Sequence, residues 1–197
     1  MNIKSLLVII LFHSALLAVE YHVLPSEKNL VKFISDAPIE DFEGITHAID
    51  GYIYWEDDDM LKNSEVYFEV DLNSIDTGIG LRNRHMRENY LETDRFPITY
   101  FKGKIIKTVQ INENEYEVLV QGKMFIHGVE RLKSIKGTMQ AVGDTYRIQS
   151  AFDVKLSDYK IAIPSIMFYK IDETMKLVVD FWIEKFEETS RVGSDQK

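Results

Sequence analysis

The sequence predicts an all-β protein, an antiparallel barrel of about eight strands with one or two short helices. Most of the chain alternates apolar and polar residues with a period of two, which is typical of strands with one buried face and one face in water. Polar stretches that favour turns, such as residues 57–59 and 112–114, separate these runs. A closed barrel is favoured over a sandwich because closure removes the exposed edges of long antiparallel strands.

Four runs show the alternation most clearly and predict strands with one apolar face. These faces carry Val66, Phe68, Val70 and Leu72; Tyr116, Val118, Val120, Gly122 and Met124; Tyr146, Ile148, Ser150, Phe152 and Val154; and Leu177, Val179, Phe181 and Ile183. Four further strands are predicted at residues 30–35, 45–55, 98–107 and 129–142. A barrel with this number of strands can hold one small ligand in its interior.

Residues 79–90 interrupt the alternation and predict a helix. They are rich in helix formers, follow the turn-like sequence Asp76-Thr77-Gly78 and end before Pro97. A second, weaker helical turn is predicted at residues 156–159.

The first residues are typical of a secretory signal peptide. Lys4 precedes an apolar run over residues 6–17, and the small residue Ala18 follows it. The run is shorter than the roughly 20 apolar residues that cross a bilayer. We expect cleavage after Ala18 and a periplasmic or secreted protein, and an uncleaved anchor is the alternative. The sequence has no cysteine, which excludes a lipoprotein anchor and any disulfide.

The remaining chain is predicted to be one acidic domain. Signal removal would take away one lysine and no acid from a chain whose formal net charge is −9. Such a charge repels nucleic acid and anionic membrane surfaces, so we expect no nucleic-acid partner. The expected boundaries are a signal peptide at 1–18, one barrel domain at 19–187 and a polar tail at 188–197.

No pattern in the sequence predicts a metal site or a catalytic centre. The five histidines are scattered, and the sequence has no H-E-x-x-H, P-loop or G-x-S-x-G motif. His127 precedes a glycine and is best explained as a turn residue. The acidic residues 56–59 lack the spacing of an EF-hand and fit a hairpin loop. We therefore expect no catalytic residue, no metal and no resident cofactor.

Three stretches resemble a known family. The first is V-D-L-N-S-I-D-T-G at 70–78, followed by R-N-R-H-M-R at 82–87, Y-L-E-T-D-R-F-P at 90–97 and I-T-Y-F at 98–101. The second is G-K-M-F-I-H-G-V at 122–129, and the third is an F-x-V-x-L-S-D-Y-x-I pattern that begins at Phe152. In these stretches the chain resembles the YceI-like family of bacterial periplasmic proteins, which have a lipocalin-like barrel. It departs from the family in the acids Asp36, Glu40, Asp41 and Glu43 and in the aromatic pair Phe168-Tyr169.

The resemblance implies a function. Members of the family are similar to carriers of long isoprenoid chains, so we expect a periplasmic carrier that holds an apolar polyprenyl or quinone-like lipid inside the barrel and does not act as an enzyme. Two alternatives stay open: an enzyme acting on an isoprenoid lipid, and a stress-related barrel with a packed interior. The oligomeric state is also open between a monomer and a homodimer.

The candidate ligand-binding residues follow from strand parity. Large apolar residues that point inward either fill a barrel or line a tunnel, and the resemblance favours the tunnel. The set consists of Phe33, Ile49, Ile53, Phe68, Phe101, Val118, Val120, Met124, Phe152, Phe181 and Ile183. The candidates for binding a lipid headgroup lie in the predicted helix, where Arg82 begins a dense basic group, and they are Arg84, His85 and Arg87.

Overall fold

A computed structural model describes residues 18–35, 42–57, 59–163, 165–166 and 169–187, and gives only the backbone of residues 165, 166, 169 and 170. The predicted signal segment up to residue 17 and the polar tail at 188–197 lie outside the described residues, as do Asp36, Glu40, Asp41 and Phe168. Ala18 is the first residue of the first strand. Cleavage after Ala18 would therefore leave the rest of that strand in place.

The described residues form twelve strands. They are β1 (Ala18–Val23), β2 (Leu30–Ser35), β3 (Phe42–Thr46), β4 (Ile49–Glu56), β5 (Glu65–Asp71), β6 (Ile98–Asn112), β7 (Glu115–Ile126), β8 (Val129–Val142), β9 (Thr145–Lys155), β10 (Ser165–Ile166), β11 (Tyr169–Lys170) and β12 (Thr174–Lys185). Strands β10 and β11 pair only with each other, and the other ten form one sheet.

The large sheet closes into an antiparallel barrel. Its order is β1-β4-β5-β6-β7-β8-β9-β12-β2-β3, and β1 also pairs with β12. Strands β1 and β2 lie one after the other along β12, while their outer edges pair with β4 and β3 respectively. The two pairs β1–β2 and β3–β4 thus act as two long interrupted strands. The result is the predicted eight-stranded antiparallel barrel, and strands adjacent in sequence are adjacent in space.

The sequence analysis missed β1, which precedes the predicted strand 30–35, and the break within the predicted strand 45–55. Asn29 contacts the chain at both breaks. This residue is fully buried. Its side chain donates to the carbonyl of Leu24 at 2.9 Å and accepts from the backbone N–H of Trp182 at 3.3 Å, while its own carbonyl lies 2.5 Å from Nδ1 of His47. The predicted strand 45–55 is therefore two strands separated by His47 and Ala48, because these bonds hold the chain away from a regular ladder.

Aromatic residues close one end of the barrel, which we call the floor. The ring of Tyr21 stacks on Trp55 with centroids 5.1 Å apart and meets Tyr146 edge-on at 5.2 Å. On the outer face of β12, Trp182 lies under the guanidinium of Arg147 at 5.0 Å from its ring centroid. The floor is therefore built by strands β1, β4 and β9.

Short helical elements cover the opposite end, which we call the mouth. The helix α1 (Gly80–His85) continues into a π-helical turn (Met86–Leu91), and a 3₁₀ turn covers Leu156–Tyr159. Both helical predictions are confirmed. The π-helical turn ends because Glu92 adopts a left-handed conformation with φ of 46°. In the described part of the chain, no helix has the length and hydropathy needed to cross a membrane.

Candidate ligand-binding cavity

A cavity of about 550 Å³ lies inside the barrel, between the floor and the mouth. This volume is within the range of small-molecule binding pockets. On β7 the lining runs from Val118 to Ile126, which corresponds to roughly 20 Å along the barrel axis at the usual strand rise and tilt. The shape suits an extended chain better than a compact ring.

The wall of the cavity is almost entirely apolar and holds no carboxylate among the described residues. Six side chains with polar atoms take part, namely Arg82, His85, Tyr90, Thr99, Tyr100 and Ser150. The hydroxyl of Thr99 donates to the carbonyl of Phe125 at 2.6 Å, and that of Ser150 donates to the carbonyl of Lys136 at 2.7 Å. Because both hydroxyls donate to the barrel backbone, the part of a ligand inside the barrel must be apolar.

Ten of the eleven apolar residues predicted from strand parity line this cavity. They are Phe33, Ile49, Ile53, Phe68, Phe101, Val118, Val120, Met124, Phe152 and Phe181. The exception is Ile183, which is fully buried but outside the lining. It pairs with Val23 on one side and Tyr146 on the other, so it belongs to the floor. Parity identified its face correctly, but its position along the barrel places it below the cavity.

Gly44 helps to keep the interior open. A Cβ atom at this position would lie 2.2 Å from Cε1 of Phe33 and 2.9 Å from Cγ2 of Ile75. The ring of Phe33 therefore occupies the space of the missing side chain and lies back against β3. With any larger residue at position 44, the ring would have to move, and the open direction is the cavity.

The cavity reaches solvent beside α1. Ile79 and Leu81 line it and are still 48% and 58% exposed. Arg82 lies at the same lip and is held in place, since its Nε donates to Oγ1 of Thr77 at 3.0 Å and its Nη2 donates to the carbonyl of Thr77 at 2.7 Å. The guanidinium also lies 4.8 Å from the ring centroid of Phe42. Arg82 forms no ion pair with any described residue, so its remaining donors are available to a ligand.

The predicted headgroup residues occupy different positions. His85 lines the cavity, whereas Arg84 and Arg87 do not. Arg84 is exposed at the mouth, and Nη1 of Arg87 donates to the carbonyl of Asn73 at 2.8 Å. Arg82 lines the cavity together with His85, because it is three residues before His85 and therefore shares its helix face.

His127 links two elements of the mouth. It lies in the turn between β7 and β8 with φ of 50°, as expected for a turn residue. Its Nδ1 is 3.2 Å from the carbonyl of Tyr159, and its Nε2 is 3.3 Å from Oε1 of Glu92. Hydrogen bonding by Arg95, with a smaller contribution from His127, holds the pKa of Glu92 below its ordinary 4.5. Within the described ranges, no group of three His, Asp or Glu side chains is placed to hold a metal ion.

A closed eight-stranded barrel with an apolar cavity open at one end defines a lipocalin-like protein. The model of the YceI-like domain matches residues 21–182, and the chain belongs to the YceI-like family. The family assignment made from the three sequence stretches is confirmed. No curated protein sequence matches the chain.

Solved structures share the fold at low sequence identity. BcnA of Burkholderia cenocepacia is 16% identical with a TM-score of 0.65, and the match covers 79% of this chain and 96% of BcnA. A polyisoprenoid binding domain of Saccharophagus degradans is 17% identical with a TM-score of 0.63, covering 83% and 97% of the two chains. A YceI protein of Campylobacter jejuni is 16% identical with a TM-score of 0.57, covering 74% and 85%. At these identities the likeness establishes the fold.

Proposed function

We propose that this protein carries an apolar isoprenoid-type lipid, polyprenyl or quinone-like, in the barrel interior. The cavity of about 550 Å³ with an almost wholly apolar wall carries the proposal. Burial of hydrocarbon stabilises a complex by roughly 25 cal/mol per Å² removed from water, so a long chain binds well with few polar contacts. The description of the Saccharophagus degradans domain as polyisoprenoid binding supports the same ligand class.

The wall favours a flexible chain over a rigid ligand. Four methionines, Met86, Met124, Met139 and Met175, contribute to it, and methionine adapts its shape to irregular ligands. The polar end of the lipid would lie at the mouth, where Arg82 and His85 can donate hydrogen bonds to a phosphate or a quinone oxygen.

We propose that the carrier works outside the cytoplasm, in the periplasm or secreted. The signal-like segment at residues 1–18 supports this location. An apolar lipid has very low solubility in water, so a carrier in an aqueous compartment has to shield the chain completely. The depth of the cavity supports that role.

Native mass spectrometry with solvent extraction, applied to protein purified from its own host, tests the proposal. We expect a copurified apolar lipid in the wild type and its loss in Val120→Trp, which would fill the cavity. Leu119→Trp on the same strand is the matched control, because Leu119 has the opposite parity and is not part of the lining. Repeated preparations without lipid would contradict the carrier. Turnover of an added polyprenyl phosphate would show an enzyme instead.

A further inference from the structure

We propose that the mouth end docks on a bilayer that carries anionic lipid, with Ile79 and Leu81 entering the interface and Arg84 facing the phosphates. This inference rests on the proposed function, because a ligand that is insoluble in water has to pass between the cavity and a membrane. The surface is defined by α1 and the residue that precedes it, Ile79.

The first observation is exposed apolar surface that is continuous with the cavity. Single exposed aliphatic residues are common and need no explanation. Ile79 and Leu81 differ because they are both about half exposed and both part of the cavity wall. A bilayer that covered them would bring its hydrocarbon to the opening through which a lipid chain enters.

The second observation is a local reversal of charge. Residues 79–91 hold three arginines and a single acid, Glu88, in a chain of formal net charge −9. Leu81 and Arg84 share one helix face because they are three residues apart. Arg84 is exposed and forms no ion pair with the described residues. This face therefore combines the apolar and basic groups that amphipathic helices present to anionic membranes.

Three of the described carboxylates near α1, Asp76, Glu92 and Glu43, have partners, whereas Glu88 in the segment and Asp94 after it pair with no described residue. Asp76 accepts from Nδ2 of Asn83 at 2.7 Å and from the N–H of Gly78 at 2.8 Å. Glu92 is bonded to Arg95, and Glu43 pairs with Lys32 at 3.0 Å. The other acidic residues of the protein repel the bilayer only weakly when the mouth touches it, because charges more than about 8 Å away are screened at physiological ionic strength.

A bilayer fits this surface better than a protein does. Two exposed aliphatic side chains are far too small for a stable protein interface, which buries at least about 1,000 Å². They are sufficient for a transient interfacial contact in which insertion and electrostatic attraction add. A carrier needs such a contact, because it has to leave the membrane after loading.

Flotation with vesicles of phosphatidylcholine alone, or of equimolar phosphatidylcholine and phosphatidylglycerol, tests the proposal. We expect stronger binding to the anionic vesicles. Arg84→Glu changes the local charge by two units and should weaken it roughly thirtyfold, while Lys107→Glu on β6 should not. Leu81→Ser should weaken it about tenfold, while Ile111→Ser should not, although Ile111 is equally exposed at 57%. Both control residues lie near the floor end.

Three results would overturn the docking surface. They are equal binding of all four variants, no binding of the wild type to either vesicle, and binding that strengthens as salt is raised from about 0.1 M to 1 M. The salt series is included because the sequence between β2 and β3 contains Asp36, Glu40 and Asp41. Repulsion between these acids and an anionic bilayer would weaken as salt is raised, so binding that strengthens with salt would mean that repulsion dominates. Loss of self-association in Leu81→Ser without loss of vesicle binding would indicate a second copy instead.

The proposed function can fail independently of the docking surface. Lipid extraction from the same preparations reports on the cavity, and Arg84 is not part of the cavity wall. Vesicle binding without lipid in the cavity would contradict the carrier and leave the docking surface intact. Bound lipid without vesicle binding would contradict the docking surface and leave the carrier intact.

Discussion

Substitution of Gly44 by alanine should both destabilise the barrel and weaken ligand binding. The added Cβ would lie 2.2 Å and 2.6 Å from two ring atoms of Phe33, far inside van der Waals contact. Gly44 has no positive φ, so the backbone accepts alanine, and the effect comes mainly from the displaced Phe33 ring and to a lesser extent from the contact with Cγ2 of Ile75 at 2.9 Å. Overpacking of this kind costs about 1–3 kcal/mol, which lowers the melting temperature of a domain of this size by roughly 2–12 °C.

The ligand assay follows from the same displacement. When the Phe33 ring turns away from β3, it enters the cavity and takes space from the lipid chain. Loss of about 1.5 kcal/mol of apolar contact weakens binding roughly tenfold, which displacement of a hydrophobic dye can measure. Gly80→Ala is the matched control, because a Cβ at Gly80 meets no atom within 4 Å. We expect it to be neutral or slightly stabilising, since alanine favours helix.

A double substitution decides whether the mechanism is correct. Phe33→Leu in the Gly44→Ala background removes the part of the ring that the new Cβ meets, so it should restore much of the lost stability. The two substitutions should therefore be strongly non-additive. An unchanged melting temperature and dye affinity in Gly44→Ala, or simple additivity in the pair, would refute the reasoning.

Two further predictions concern the mouth. Arg82→Ala should weaken binding of a lipid with a phosphate or quinone headgroup about tenfold and leave a saturated hydrocarbon of similar length unaffected; equal losses for both in calorimetry would contradict a headgroup role. Because Arg95 and His127 hold the pKa of Glu92 below 4.5, Glu92 contributes stability above that pH and loses it as pH falls through the lowered value. The melting temperatures of wild type and Glu92→Gln should thus differ at neutral pH and converge in acid, and a constant difference would count against this ion pair.

Strand parity predicted the inner surface of the barrel because it depends only on local geometry. A residue's face follows from alternation, and ten of eleven interior residues line the cavity accordingly. Ile183 was placed in the cavity wall by mistake. Its position along the barrel axis depends on the pairing of β12 with β1, and alternation predicts only the face of a residue. The break at His47 was missed for a related reason, since it depends on Asn29, which is distant in sequence.

The basic residues of the mouth were the hardest to predict. The sequence indicated the helix and its dense arginines, but not how α1 is rotated about its axis against the barrel. That rotation turns Arg82 and His85 toward the cavity and leaves Arg84 in solvent. The rotation depends on contacts of Arg82 with Thr77 and Phe42. Phe42 lies on β3, which is distant from α1 in sequence. The openness of the interior was equally hidden, because it requires the ring of Phe33 to meet Gly44.

The two tryptophans give this barrel a built-in optical signal. Trp55 is 5% exposed in the floor, directly below the cavity, whereas Trp182 lies on the outer face beside Arg147. An aqueous quencher therefore reaches the indole of Trp182 first, and the emission that survives comes from Trp55. The wavelength of that residual emission depends on the polarity at the bottom of the cavity. Filling and emptying of the barrel can thus be followed in ultraviolet light on the unlabelled protein.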